Sequence, residues 1–332
     1  MSTNKLNIGI QLTKNPEKYK YLLSVLESEL SPTKELEFIH IPDESILMKI
    51  LPDLDILTTY YLDKIASDNI TDNLKWVHFG NAGIEKSLNK PLLKSKTIIT
   101  NASGVHAGPV SEFVMSSLLY FAKRYKDCVD FMHTANWTQW KIARQMLQLK
   151  GKTIGIIGFG SLGKAIAKKA KVFDMQVIAT RRLQKKIEEK KIVNELIPIS
   201  RLKYLLKNSN FIVIACPLTP LTKGMIGKKE LNIMKSSAII INVARGAIIN
   251  EKELVLALKH KTIAGAALDV FEEEPLPKES PLFTLNNVFL SPHISGNFPE
   301  YQHDVVLQFA DNLNRFMAGK TLKNRVCKKR MY

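Results

Sequence analysis

Cysteine is scarce in this chain: Cys128, Cys216 and Cys327 are the three among 332 residues. Their number is odd, they lie far apart and no C-x-x-C pair occurs. That argues against a disulfide framework and a zinc site and fits a reducing compartment. Long apolar runs are missing too. No uninterrupted stretch reaches the ~18 residues that a membrane span needs, and Phe211–Cys216 and Ala238–Ile241 are short enough to be strands. The N-terminal Met1-Ser2-Thr3-Asn4-Lys5 has neither the apolar core nor the small-residue cleavage pattern of a secretory leader. These absences predict a cytoplasmic protein with no metal and no membrane partner. Acid is under-represented: 31 Asp and Glu stand against 48 Lys and Arg, a formal charge of +17. Such an excess suits an anionic partner. Yet no basic run is interleaved with aromatics as a single-strand binder requires, and the lysines are spread along the whole chain. Nucleic acid is therefore disfavoured, and the charge is expected to assist capture of an anionic cofactor and substrate.

What is present, 45% hydrophobic and 24% charged residues, is the composition of a soluble globular protein long enough for about two domains. The organising stretch is Gly151–Gly163, G-K-T-I-G-I-I-G-F-G-S-L-G. Thr153–Ile157 reads as a strand buried on both faces of a parallel sheet. Gly158, Gly160 and Gly163 then fit G-x-G-x-x-G, and helix-forming residues follow from Lys164. Between a strand and a helix, the first glycine permits the turn, the second lets backbone approach a pyrophosphate, and the third lets helix and strand pack closely. The helix N-terminus would face the phosphates.

Before that stretch, Leu6–Ile10, Glu37–Ile41, Asp55–Thr59, Lys75–Phe79 and Thr97–Thr100 read as strands, and Pro16 opens a helical pattern through Leu30. β/α alternation predicts a parallel sheet, so a separate α/β unit precedes the fingerprint. Gly80-Asn81-Ala82-Gly83 follows one of its strand ends; it is either a tight turn that needs glycine or a row of backbone N–H groups able to hold a carboxylate. Gly108–Lys123 predicts a long apolar helix that fills a domain seam or buries itself in another subunit. Core packing is expected of Trp137 and Trp140 beyond it.

A dinucleotide fold commonly carries an acid about 20 residues past its glycines to accept from the ribose hydroxyls. Here the strand Gln176–Thr180 ends in Arg181-Arg182, with no acid. The pair either neutralises a 2′-phosphate, which favours NADP(H) over NAD(H), or is a solvated basic turn heading the run Gln184–Lys191. Later strands, Phe211–Ala215, Ala238–Val243, Gly265–Val270 and Val288–Leu290, end on Cys216-Pro217, on Ala244-Arg245-Gly246, near Asp269 and Glu274, and on Ser291-Pro292-His293-Ile294-Ser295-Gly296. That is the edge where an open parallel sheet binds its ligand. An imidazole can protonate the oxygen of a ketone receiving a hydride, a carboxylate beside it favours the protonated ring and fixes its orientation, and an arginine can clamp a substrate carboxylate. A terminal helix is expected from Pro299 through Phe316, closed by Gly319.

Asn242–Gly246, Leu268–Phe271 through Glu274-Pro275, and Ser291–Gly296 closely resemble signatures of the D-isomer-specific 2-hydroxyacid dehydrogenase family; Pro217–Thr222 and Asn101–Glu112 extend the likeness over most of the chain. The resemblance implies two Rossmann/flavodoxin-like parallel-sheet α/β domains. A cofactor domain, 104–294, would be inserted into a discontinuous substrate domain, 1–103 with 295–332. It implies that Arg245 binds substrate, His293 is the acid/base and Glu274 pairs with it. Asn81, Ala82 and Gly83 match the family's carboxylate-binding turn. Ser161, Leu162, Cys216, Pro217 and Thr222 would line the dinucleotide, while Val243, Ala244, Asp269 and Ser295 would hold its nicotinamide end. Family members are commonly dimers, with the segment around Gly108–Lys150 contributing. The chain departs from the family in Ile84-Glu85 after Gly83, where an aspartate is frequent, and in Arg181 where an acid is usual. The arginine points to the glyoxylate/hydroxypyruvate reductase side, reducing a small 2-keto acid to the D-2-hydroxy acid with NADPH. Glu274 argues against the formate dehydrogenase branch, which pairs its histidine with glutamine. No regulatory extension is expected after the terminal helix, which leaves a short-form D-3-phosphoglycerate dehydrogenase as one alternative. An NAD(H)-sensing corepressor-like binding protein is the other.

Overall fold

The computed structural model of the chain describes residues 5–31 and 35–330. Met1–Asn4, read above for a leader, lie outside the described residues. Two compact units divide the chain, Met1–His106 with Phe298–Tyr332 and Ala107–Asn297, so the second interrupts the first. Each is built on a parallel sheet, as the fold class expected from the sequence requires.

In the first unit, β1 (Leu6–Gln11), β2 (Leu36–His40), β3 (Ile56–Thr59), β4 (Trp76–Phe79) and β5 (Ile98–Asn101) lie in the order β2-β1-β3-β4-β5. Every adjacent pair is parallel, and each strand falls within a residue of its expected ends. Both faces are covered, which is why these strands read as continuous apolar runs rather than alternating ones. Ile8, Ile10, Ile56 and Trp76 pack with the helices Pro16–Ser28 and Tyr301–Met317; Leu57, Val77, Phe79 and Ile99 pack with Leu47, Ala66 and Leu92 on the other side. Asn15 caps the first helix, its side chain accepting from the N–H groups of Glu17 and Lys18 ahead of Pro16. The C-terminal helix belongs to this unit because its apolar stripe is buried there: Val305, Val306, Phe309 and Leu313 are sequestered and Phe309 stacks on Trp76 at 5.0 Å. Strand order reverses between β1 and β3, and ligands of open α/β sheets bind past the carboxyl ends at such a reversal.

The second unit contains β6 (Thr153–Ile157), β7 (Gln176–Arg181), β8 (Glu188–Lys190), β9 (Val193–Pro198), β10 (Phe211–Ile214), β11 (Ile239–Asn242), β12 (Gly265–Leu268) and β13 (Val288–Leu290). Their order is β13-β12-β11-β10-β6-β7-β9-β8. All pairs are parallel except β8 on β9. The run Gln184–Lys191 supplies β8, a three-residue charged strand of the kind that ends a sheet without inviting further pairing. The reversal lies between β6 and β10. Successive residues serve opposite faces: Ile154, Ile156, Phe211 and Val213 meet the helices Ala107–Ala122 and Ser161–Val172, while Ile157, Ile212 and Ile214 pack with Leu205, Leu231 and Leu254.

Trp137 and Trp140 correct the expectation of core packing, being 75% and 69% exposed. The helix Tyr125–Thr134 and the helix Gln139–Ala143, which contains Trp140, bury none of their residues, so neither offers a core for the rings. Phe131, edge-on to Trp137 at 5.6 Å, is an aromatic neighbour.

Candidate active site

The fingerprint glycines have three different structural reasons. Gly158 has φ +107°, and a Cβ there would lie 2.8 Å from the backbone of Ala215 and Cys216, so the turn after β6 runs against the end of β10. Its N–H donates to the buried Thr180 hydroxyl at 3.3 Å, which ties the turn to the end of β7. Gly163 faces inward: a Cβ would strike the Gly158 carbonyl and approach Ile156 Cγ2 at 3.2 Å. At Gly160 a Cβ would meet nothing within 4 Å. Packing therefore dictates the first and third glycines, whereas the second opens a space that fits a closely approaching ligand. The helix Ser161–Val172 begins there with no side-chain cap and no acid in its first turn, a terminus suited to phosphate. Ser161 is exposed and Leu162 half-buried at this end. Arg181, the last residue of β7, and Arg182 are both exposed.

Across the reversal, Cys216 follows β10, and burial pushes its thiol up to about 12. The next loop closes on itself. The Thr222 hydroxyl donates to the Pro217 carbonyl at 2.8 Å and accepts from Thr219 N–H at 2.8 Å.

Two asparagine bonds shape the turn after β11: Asn242 Oδ1 accepts from Ala244 N–H at 3.1 Å and its amide donates to the Arg245 carbonyl at 2.9 Å. Val243 is buried and Ala244 partly so. The Arg245 side chain donates to the Ala244 carbonyl at 2.7 Å. A Cβ at Gly246 would fall on the Phe271 carbonyl, so only glycine lets this turn lie against the Phe271–Glu274 loop. That loop holds Glu274 by one oxygen, which accepts from Phe271 N–H at 3.0 Å. The other oxygen lies 2.8 Å from His293 Nδ1. A carboxylate only accepts, so Nδ1 carries the hydrogen, and Nε2 is left to exchange a proton. About half of the His293 side chain is exposed, which leaves that nitrogen an approach.

Asp269 holds the histidine's loop. Fully buried, it accepts at Oδ1 from the Ser291 hydroxyl (2.7 Å) and the N–H groups of Ile294 (2.9 Å) and Ser295 (3.2 Å), and at Oδ2 from Ser295 N–H at 3.1 Å. Its carbonyl accepts from His293 N–H at 2.9 Å. The structure thus brings Arg245, Asp269, Glu274, His293 and Ser295 onto the carboxyl edge of β11–β13. Asn242 and Ser291, which shape two of these loops, stand inside quoted motifs, but their role is visible only from the hydrogen bonds.

In the first unit, Gly80–Gly83 follows β4. Its carbonyls are engaged: Asn81 O accepts from Ala102 N–H at 3.2 Å and Ala82 O from the Asn101 amide at 2.8 Å. The Asn81 amide donates to Tyr60 O at 3.0 Å. The N–H groups of Ala82 and Gly83 have no acceptor among the described residues, which suits an anion.

A model of the NAD binding domain of D-isomer specific 2-hydroxyacid dehydrogenases matches residues 115–295. A glyoxylate reductase of Thermococcus litoralis is 36% identical over 299 residues, 86% of this chain and 88% of that protein. A glyoxylate reductase of Pyrococcus furiosus is 35% identical over 321 residues, 91% and 92% of the two chains. Among solved structures, an NADPH-dependent glyoxylate/hydroxypyruvate reductase of Sinorhizobium meliloti, in complex with NADP and sulfate, superposes with a TM-score of 0.83. It is 23% identical, with 98% of this chain and 100% of that one covered. Among the described residues no helix is long and apolar enough to cross a membrane.

Proposed function

The chain belongs to the D-isomer specific 2-hydroxyacid dehydrogenase family and is an oxidoreductase with a nicotinamide-dinucleotide-binding domain, and on that premise we propose that it reduces a small 2-keto acid of the glyoxylate/hydroxypyruvate type to the D-2-hydroxy acid, preferring NADPH. The observation that carries this reading is the His293–Glu274 pair, 2.8 Å apart, with the second glutamate oxygen tied to backbone. A bound nicotinamide supplies the hydride. His293 Nε2 delivers the proton to the carbonyl oxygen, and Glu274 holds the ring and stabilises it while it is charged. Arg245 binds the substrate carboxylate and polarises its carbonyl, and the amides of Asn81, Ala82 and Gly83 are suited to hold a carboxylate.

Gly158, Gly160, Ser161, Leu162 and Gly163 would cradle the pyrophosphate, with Cys216, Pro217 and Thr222 along the dinucleotide. Val243, Ala244, Asp269 and Ser295 would serve its nicotinamide end. Support for NADPH comes from Arg181 and Arg182, exposed at the end of β7 where an acid would select NADH. We further assign the exposed apolar surface of Met132, Trp137 and Trp140 to the contact of a homodimer, since such a surface on a soluble chain marks an interaction site.

The test is nicotinamide absorbance on mixing the protein with NADPH or NADH and, in turn, glyoxylate, hydroxypyruvate, pyruvate, phenylpyruvate and 3-phosphohydroxypyruvate. Turnover is expected with glyoxylate or hydroxypyruvate. Cofactor binding without turnover of any of these would favour a cofactor-sensing binding protein instead. Arg181→Asp with Arg182→Ala should move the preference toward NADH, and an unchanged ratio of kcat/KM for the two cofactors would remove the case for NADPH.

A further inference from the structure

Part of the clasp on the loop Gly80–Gly83 comes from a distant part of the chain. Gly80 N–H continues the sheet by donating to Thr59 O at 2.8 Å. The Gly80 carbonyl accepts a hydrogen bond from the hydroxyl of Tyr301, the first residue of the C-terminal helix. With Ala102 N–H on Asn81 O and the Asn101 amide on Ala82 O, three consecutive carbonyls of the loop are held by the scaffold. Successive peptide groups whose carbonyls are fixed have their N–H directions fixed too, because each peptide unit is planar.

Tyr301 is itself immobilised. Its ring stacks on His106 at 4.6 Å and 16°, lies near-parallel to Tyr60 at 6.3 Å, and meets Phe298 edge-on at 5.9 Å. Tyr60 in turn covers Gly80, where a Cβ would come within 2.7 Å of its ring. Burial, with Tyr60 second, raises the Tyr301 phenol well above its ordinary value, so the hydroxyl remains a protonated donor throughout the working pH range. Asn101 is similarly fixed, its Oδ1 accepting from Ser103 N–H at 3.3 Å.

We propose that Tyr301 and Asn101 are positioning residues for substrate capture: by holding the Gly80 and Ala82 carbonyls they pre-aim the Asn81 and Gly83 amides, which have no acceptor among the described residues, at the substrate carboxylate. This rests on the reading of that loop as the carboxylate site. A pre-aimed pair of donors acts on binding, so its loss raises KM while the proton and hydride steps, which use other groups, keep their rate.

Three variants, Tyr301→Phe, Asn101→Ala and Ala82→Pro, test this, read by KM and kcat for glyoxylate, by the affinity of the NADPH-loaded protein for oxalate, and by NADPH affinity. Tyr301→Phe keeps the ring stack and removes only the donor. It should raise KM and the oxalate Kd together by about 5- to 10-fold, the loss of one buried hydrogen bond, with kcat and NADPH affinity unchanged. Asn101→Ala should give the same split and decides the matter should the tyrosine variant not fold. A rise in KM with Ala82→Pro but with neither clasp variant overturns the positioning role while leaving the loop reading standing. If none of the three moves KM or oxalate binding, the carboxylate site lies elsewhere and the proposal falls with it. Parallel losses in kcat and NADPH affinity would mark a general loosening and likewise overturn it.

Discussion

His293 has φ +53°, a left-handed conformation that costs a non-glycine residue roughly 1–2 kcal/mol. What holds it there is Asp269, through its carbonyl on His293 N–H and both carboxylate oxygens on the following amides. The imidazole is thus aimed by backbone as well as by Glu274. His293→Ala should lower kcat by about 10²–10⁴-fold, the worth of a general acid, with NADPH affinity kept. Turnover retained at the wild-type rate would end the acid assignment. Glu274→Gln keeps the shape and a hydrogen-bond acceptor but not the charge, so its loss should be smaller than that of the histidine variant in the same assay. These two residues were legible in the sequence because their chemistry and their motifs are local. Tyr301 was not: 221 residues separate it from Gly80, and nothing in a helix-opening tyrosine says which carbonyl it meets.

At the scale of the element, the turn between β6 and its helix separates glycines needed by the fold from the one that leaves room. Gly160→Val finds open space, so thermal stability should be unchanged while dinucleotide affinity falls. Gly163→Val drives its Cβ into the Gly158 carbonyl and should lose both. Equal unfolding temperatures for the two variants would contradict this division. In the first sheet, β4 carries a fully buried histidine. The Trp76 indole donates to Thr100 Oγ1 at 2.8 Å, so the threonine's own hydrogen can go to His78 Nδ1, also 2.8 Å away. Burial lowers His78 from its ordinary 6.5 to about 3. The folded ring then stays neutral where the unfolded one takes a proton, so stability falls as pH drops below 6.5 toward 3. The slope there is about 1.4 kcal/mol per pH unit. His78→Leu should reduce the loss of stability between pH 7 and pH 5 by about 2 kcal/mol in urea unfolding, and an unaltered slope would rule this group out as the source.

For the whole molecule, the exposure of Trp137, Trp140 and Met132 departs from what a single chain prefers. If that surface is the homodimer contact, light scattering after gel filtration should give twice the 37.5 kDa chain mass. Met132→Glu with Trp137→Glu should then give the chain mass with the fold intact. A wild-type monomer would refute the assignment. The charge of +17 belongs to this scale as well: most of it lies in the second unit, which carries the glycine fingerprint, and suits long-range capture of an anionic dinucleotide.

By itself the sequence determined the two parallel sheets, the strand ends and the glycine turn, because burial on both faces writes apolar runs and close backbone approach writes glycine. It also marked Arg245, Glu274 and His293, each beside a strand end whose position follows from the same runs. Tertiary structure alone decided the rest. β8 is a strand only because β9 lies beside it, since a charged three-residue stretch has no propensity to pair unaided. Trp137 and Trp140 look like core by residue type and lie outside it because none of the described elements buries them. The clasp on Gly80–Gly83 exists because the C-terminal helix buries Phe309 against Trp76 in the first unit, and that packing, not any local signal, brings the hydroxyl of Tyr301 to the loop.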